Sequence, residues 1–365
     1  MACVILTHPD CALHEMGAHH PESPARLHAV MAALDDGHVL GHLREEEAPR
    51  ASVEQLARVH HDVHIDFVHE SAPERDYAFL DPDTSLNPKS LSASLRAAGA
   101  VARAADIVME GSHARAFCAV RPPGHHATPS RAMGFCVFNN VAVGAAQALE
   151  RHGLERVAIL DFDVHHGNGT EDMFRDDPRV LFCSTFQHPY YPYCGADSGN
   201  DHVINVPLPA MTGSEGFRAA VERHWMPALE RFEPQLVFIS AGFDAHREDP
   251  LAYLQLEDED YGWVTRRIVD GHDDAAFAPM RHLTVGGFRD WLLSDGTDEH
   301  ALSAVASGLM PEMAAAVSKI MRAQDLVLVA RKCRVVTRFR NTIGLAGRLA
   351  TRLQPNHPTD DPGGI

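Results

Sequence analysis

The 365-residue chain has no apolar run approaching the ~18 residues that a membrane-spanning helix requires, so no transmembrane span is expected. Its start, "MACVILTHPD", has no basic stretch before a short apolar run, and no secretory leader is expected. The seven cysteines (Cys3, Cys11, Cys118, Cys136, Cys183, Cys194, Cys333) form no Cys-x-x-Cys pair and keep no regular spacing. That excludes a disulfide framework and fits reduced thiols in the cytoplasm. Basic charge is scarce: 32 Lys+Arg face 50 Asp+Glu, for a net charge of -18. Such a balance argues against nucleic acid as a partner and favours cationic substrates. There is no internal repeat, and the polar end "NHPTDDPGGI" is the one low-complexity tract.

The acidic excess is not uniform. Residues 266–365 hold 13 basic and 11 acidic side chains, a balance of +2, which leaves -20 on the first 265 residues. A step of this kind marks two segments of different character.

Apolar residues make up 45% of the chain, enough for one large α/β domain or two smaller ones. Short apolar runs at 3–8, 116–120, 156–163, 179–186 and 235–244 read as buried parallel strands. Between them, 90–111, 139–153 and 213–234 read as helices: the first with serine caps, the second bounded by Asn139 and Gly153, the third with a Ser214 cap and a stop at Pro234. Alternation of this kind predicts a mostly parallel sheet covered by helices on both faces.

In such sheets, sites form beyond the carboxyl ends of strands, and three polar clusters lie there. Asp163 and His165 are two residues apart; on an extended segment they point the same way, and both are ordinary zinc ligands. Asp244, after another strand, can supply a third ligand, which leaves one position open for water, as in catalytic zinc sites. His125 and His126 follow a "PPG" turn and can stand beside such a water, one accepting a proton and the other protonating a leaving amine. Each needs a partner on its other ring nitrogen, and Asp161 and Asn168 are suitable. The pairs His19-His20 and His60-His61 lack this setting and read as surface or loop histidines.

The stretches "RPPGHHA…GFCVFNNVAVGAA", "ILDFDVHHGNGTEDMF" and "SAGFDAHREDPL" resemble the zinc-dependent histone deacetylase and acetylpolyamine amidohydrolase superfamily. "HHPESPARL", "LDPDTSLNPKSL" and "QHPYYPYCG" are similar to its bacterial and class II members, in family order from about residue 3 to 265. The resemblance implies the arginase/deacetylase three-layer α/β/α sandwich, with zinc on Asp163, His165 and Asp244. It also implies His125 and His126 as the acid/base pair, supported by Asp161 and Asn168. Gly134 and Phe135 would line an acyl-lysine tunnel opposite Tyr191, with Asp81 or Asp83 at its rim holding the substrate backbone. A structural potassium ion would use Asp161, Asp163, His165, Ser184 and Thr185. The implied substrate is an acetylated cation, acetyl-lysine in a peptide or an acetylpolyamine.

One family feature is absent. The tyrosine of a Gly-Gly-Tyr segment normally donates to the reaction's oxyanion, and here the chain reads Gly286-Gly287-Phe288, with neither the preceding apolar strand nor its Glu. Residues from about 264 onward instead resemble a fragment of the ethanolamine ammonia-lyase large subunit. "RLQPN" carries the similarity, with Arg352 and Gln354 at positions that bind ethanolamine in that family. Most of that enzyme's barrel is missing, so its activity is not expected. The sequence thus divides into a C-terminally truncated deacetylase-like domain (1–265) and a foreign, mostly helical tail (266–365) that is not a complete domain. The lost strand would leave a gap in the sheet, for which 325–330 and 281–286 are the replacements in the tail. Two functions follow: a zinc-dependent acetyl-amide hydrolase, or a zinc-binding pseudoenzyme or non-functional fusion product.

Overall fold

Strand β1 (Cys3–Thr7) is fully apolar at its centre and pairs in parallel with β2 (Arg44–Glu47) on one side and β5 (Arg115–Cys118) on the other. The computed structural model describes residues 3–36, 40, 43–111, 115–270 and 326–331. Two short strands, β3 (Ala78–Asp81) and β4 (Thr84–Leu86), form a separate antiparallel ribbon. The main sheet continues with β6 (Val157–Asp161), β7 (Val180–Gln187), β8 (Val203–Leu208) and β9 (Leu236–Ala241), all mutually parallel where they pair. Every residue of β6 and β7 is buried, as the continuous apolar runs predict for strands covered on both faces.

The gap expected between the β5 and β9 halves of the sheet is filled by β10 (Leu326–Arg331), which runs antiparallel to both. The strand order is β2-β1-β5-β10-β9-β6-β7-β8. The backbone groups of two central strands are thereby paired, where leaving them open would cost about 1–3 kcal/mol for each buried group. Of the two replacements read from the tail, 325–330 takes the place; 281–286 lies outside the described residues. All described residues fall in one unit, Met1–Arg331, and a helix crosses position 265.

The helices are α1 (Pro24–Asp36), α2 (Val53–Leu56), α3 (Asp62–Glu70), α4 (Ser90–Met109), α5 (Asn140–His152), α6 (Asn168–Phe174), α7 (Ser214–Ala220), α8 (Met226–Phe232) and α9 (Asp258–Asp270). Helix α5 is capped as expected: Asn139 accepts from the Ala142 amide, and Gly153 ends it at φ 62°. The expected serine caps are corrected. Lys89 and Gly213 hold the cap positions of α4 and α7, and Ser214 donates to Asp260 instead. The helix expected over 213–234 is interrupted by a π turn at Val221–Trp225. Alanine-rich α4 packs closely on α5; a Cβ on Gly144 would lie 2.4 Å from Val101 Cγ1. No disulfide links the six described cysteines, five of which are buried, and no described helix is long and apolar enough to cross a membrane.

Candidate active site

The carboxyl end of β5 leads into the tandem histidines, and a buried ionic cluster fixes that loop. Arg121 donates from Nε to Glu22 Oε1 (2.6 Å), from Nη1 to Cys11 O (2.7 Å) and from Nη2 to His14 O (3.1 Å). Arg26 Nη1 reaches the same Glu22 oxygen at 2.9 Å. Burial opposes the Glu22 charge, but Arg121, His14 and Arg26 outweigh it and hold its carboxyl well below the usual range. Sequence reasoning placed "HHPESPARL" in the family pattern but gave Glu22, Arg26 and Arg121 no role. The signal available was an acid and two arginines inside otherwise loop-like motifs.

His125 Nδ1 lies 2.9 Å from Asp161 Oδ2, and His126 Nδ1 lies 2.7 Å from Asn168 Oδ1. Asn168 turns its amide nitrogen to the Met133 sulfur (3.6 Å), which leaves its oxygen to accept from His126. Both partnerships are those expected, and they direct the Nε2 atoms of the two rings, 4.0 Å apart at their centroids, toward the site. Burial, then the neighbouring His125 and His165, lower the His126 pKa well below its usual value, so its ring is neutral near pH 7.

Beyond β6 the chain curls rather than continuing extended. Asp163 N donates to Asp161 Oδ1 (3.1 Å), and His165 N donates to Asp163 Oδ1 (2.7 Å). Successive side-chain-to-backbone turns, not strand alternation, therefore bring Asp163 and His165 together. Asp244 Oδ1 accepts from Val164 N (2.9 Å), while its Oδ2 faces His165 Nδ1 at 2.9 Å; Asp163 Oδ1 lies 3.0 Å from the same nitrogen. One donor atom from each of Asp163, His165 and Asp244 falls within 4.8 Å of the others, and this is the one such cluster among the described residues. The buried Asp163 Oδ2 has no hydrogen-bond partner, and Gly242 leaves it room: a Cβ there would lie 2.0 Å away. Burial and then Asp244 raise the Asp163 pKa; burial works against a charged His165, but Asp244 and Asp163 outweigh it and raise that pKa too. Two carboxylates and an imidazole buried this tightly, with one oxygen unsatisfied, fit a dication in chemistry and charge.

The walls follow. Gly134 (φ 57°) packs on His126, with a Cβ placed there only 2.4 Å from His126 Cδ2, and Phe135 meets the edge of His20 at 4.7 Å. Tyr191 stands edge-on to His126 (5.2 Å) and His165 (5.9 Å). Tyr190, which sequence reasoning left without a role, stacks on His165 at 5.8 Å with its hydroxyl donating to Leu251 O (2.6 Å). Asp81 is ion-paired with Arg131, and Asp83 accepts from Gly134 N (3.1 Å), so both carboxylates are engaged within the protein. Asp161 and Ser184 are register partners across β6 and β7; Ser184 and Thr185 are buried there.

His60 lies in the loop between α2 and α3, one of the two settings expected, but is buried there, accepting from Asn139 N at Nε2 (2.9 Å) and donating from Nδ1 to Thr128 O (3.1 Å). Burial, reinforced by His64, lowers its pKa to about 3, which keeps it the neutral bridge this geometry requires. Phe288, Arg352 and Gln354 lie outside the described residues.

Residues 20–304 match the histone deacetylase domain family, a span that runs past position 265. The chain is 37% identical over 277 residues to a probable deacetylase of Archaeoglobus fulgidus, covering 74% of this chain and 76% of that one. It is 38% identical over 280 residues to a histone deacetylase-like amidohydrolase of Pseudomonas aeruginosa, covering 75% and 73%. The solved HDA15 HD domain superposes with a TM-score of 0.73 at 30% identity, over 88% of this chain and 99% of that one. Fold, site geometry and sequence agree: the chain belongs to the histone deacetylase domain family, and with it to the hydrolases acting on amide bonds.

Proposed function

We propose that the chain is a zinc-dependent hydrolase of acetylated amines, acetyl-lysine in a peptide or an acetylpolyamine. The observation that carries this is the convergence of the Asp163–His165–Asp244 cluster with two imidazoles whose outer nitrogens are already engaged. Zinc held there would supply Lewis acidity to a water and to the amide carbonyl. His126, neutral and paired with a neutral amide, accepts the water's proton at Nε2. His125, whose Nδ1 faces the Asp161 carboxylate, is the better holder of a positive charge and delivers a proton to the leaving amine. Gly134, Phe135 and Tyr191 orient the acyl chain. A potassium ion on Asp161, Asp163, His165, Ser184 and Thr185 rests on family resemblance, and the acidic first 265 residues suit a cationic substrate in the cytoplasm.

The reaction's oxyanion needs a hydrogen-bond donor besides the metal. Among the site residues described, Tyr190 spends its hydroxyl on Leu251. Burial and then the Asp83 carboxylate push the Tyr191 phenol above its usual range, so it stays protonated. Residues 266–365 are read as a lyase-like segment joined to a deacetylase domain on the charge step and the "RLQPN" run, against a family match that continues to residue 304. In that reading Phe288 is unrelated to the family tyrosine, and Phe288→Tyr changes nothing; a rise of about 10²-fold in kcat would place it in the family segment and refute the fusion. Amplification of one continuous product across 262–271 from source DNA establishes a real gene fusion rather than an assembly error. The second reading, a zinc-binding pseudoenzyme, is favoured by the lack of any Gly-Gly-Tyr segment in the sequence. Metal analysis with turnover of a fluorogenic acetyl-lysine substrate separates the two: zinc with turnover supports the hydrolase, and zinc without turnover supports the pseudoenzyme.

A further inference from the structure

The ribbon β3–β4 stands outside the main sheet, yet its turn touches the Gly134-Phe135 wall of the site. Met133 and Cys136 exchange both backbone hydrogen bonds (3.1 and 3.0 Å), closing a two-residue turn with Gly134 at φ 57° and Phe135 at φ 68°. Two successive left-handed residues suit Asn and Gly; a phenylalanine in the second place is strained and persists only where its surroundings hold it. Two side chains do so here. Gly134 N donates to Asp83 Oδ1 (3.1 Å), and Phe135 N donates to Thr84 Oγ1 (3.0 Å). Thr84 Oγ1 in turn donates to Asp83 Oδ1 (2.8 Å), which joins the two acceptors into one clamp, and Thr84 is fully buried. The opposite side of the turn is the His126 ring, with no room for a Cβ between it and Gly134. A second tie, Arg131 to Asp81, joins the same ribbon to the same loop.

We propose that Asp83 and Thr84 are positioning residues: through the Gly134-Phe135 turn they seat the His126 ring, and Asp83 is not a ligand for the substrate backbone. This rests on the reading of His126 as a proton-transfer group. The clamp places two donors of the protein itself, the Gly134 amide and the Thr84 hydroxyl, on Asp83 Oδ1.

The test uses the full chain and two pairs of variants. Asp83→Asn keeps an oxygen acceptor and loses the charge, whereas Asp83→Ala loses both. Thr84→Ser keeps the hydroxyl, and Thr84→Val removes it at nearly constant shape. Hydrogen exchange at the Gly134 and Phe135 amides, zinc content, and kcat and KM on an acetyl-lysine peptide are read for each. Asp83→Ala and Thr84→Val are expected to speed exchange by about tenfold or more and to lower kcat by about 10–100-fold, with KM and zinc content near wild type. Asp83→Asn and Thr84→Ser are expected to stay within about threefold of wild type in every readout. Unchanged exchange in Asp83→Ala overturns the clamp. So does an Asp83→Asn variant with KM raised as far as in Asp83→Ala and kcat intact, because the carboxylate would then be holding substrate. If the wild-type chain has no turnover, the hydrolase reading fails, and exchange alone still decides the clamp.

Discussion

At the residue scale, the Asp163–His165–Asp244 cluster proposed to hold zinc depends on one missing side chain. Asp163 Oδ2 is buried without a hydrogen-bond partner because Gly242 leaves the space beside it open. A methyl group 2.0 Å from that oxygen must displace it. Gly242→Ala is therefore expected to weaken zinc binding by about 10–100-fold, measured by competition with a chelator, while the fold survives. His126→Ala separates chemistry from metal binding: kcat is expected to fall by about 10²–10⁴ with zinc content unchanged. Loss of zinc in that variant would show that His126 supports the metal rather than the proton transfer.

At the scale of elements, the loops that carry the site are held by polar groups buried behind it. Glu22→Gln leaves Arg121 and Arg26 without a counter-charge and is expected to cost about 3–5 kcal/mol in chemical denaturation. The sign of its pH dependence follows from the lowered Glu22 pKa. Its contribution is complete above the ordinary value of 4.5 and is lost as pH falls below it, so wild type and variant converge in acid. For His60, with a folded pKa near 3 against an ordinary 6.5, the unfolded chain binds more protons between those values. Stability is therefore lost as pH drops from about 6.5, and a His60→Gln variant should show a shallower loss.

The same elements show what was legible in the sequence. Strands β1, β5, β6, β7 and β9 announce themselves as continuous apolar runs because both faces are buried, and the site residues follow from their carboxyl ends. Strand β2, reading Arg-Glu-Glu-Glu at the sheet edge, has no apolar signal, and the β3–β4 ribbon is too short to give one. The π turn at Val221–Trp225 leaves the helical periodicity nearly intact, so 213–234 reads as one helix. The burial of the loop residue His60 was not legible, because it depends on backbone partners 68 and 79 residues away, which no local pattern carries. The Asp83 clamp was hidden for the same reason: its acceptor and donor are 51 residues apart.

At the scale of the whole molecule, β10 joins the half-sheet that carries His125 and His126 to the half that carries Asp163, His165 and Asp244. Leu328 pairs with Phe117 on one side and Ile239 on the other, so Leu328→Pro removes an N–H from a central strand. It is expected to lower the denaturation midpoint by an amount equivalent to about 1–3 kcal/mol; an unchanged midpoint would mean that the strand adds nothing to the sheet. The central claim, a zinc-dependent amide hydrolase built on Asp163, His165 and Asp244, is tested most directly by measuring zinc and turnover on the same full-length sample before and after chelation. The prediction is one zinc per chain in the wild type and none in Asp163→Ala, with acetyl-lysine turnover lost on chelation and restored by zinc. Undiminished turnover in the metal-free protein or in Asp163→Ala would contradict it.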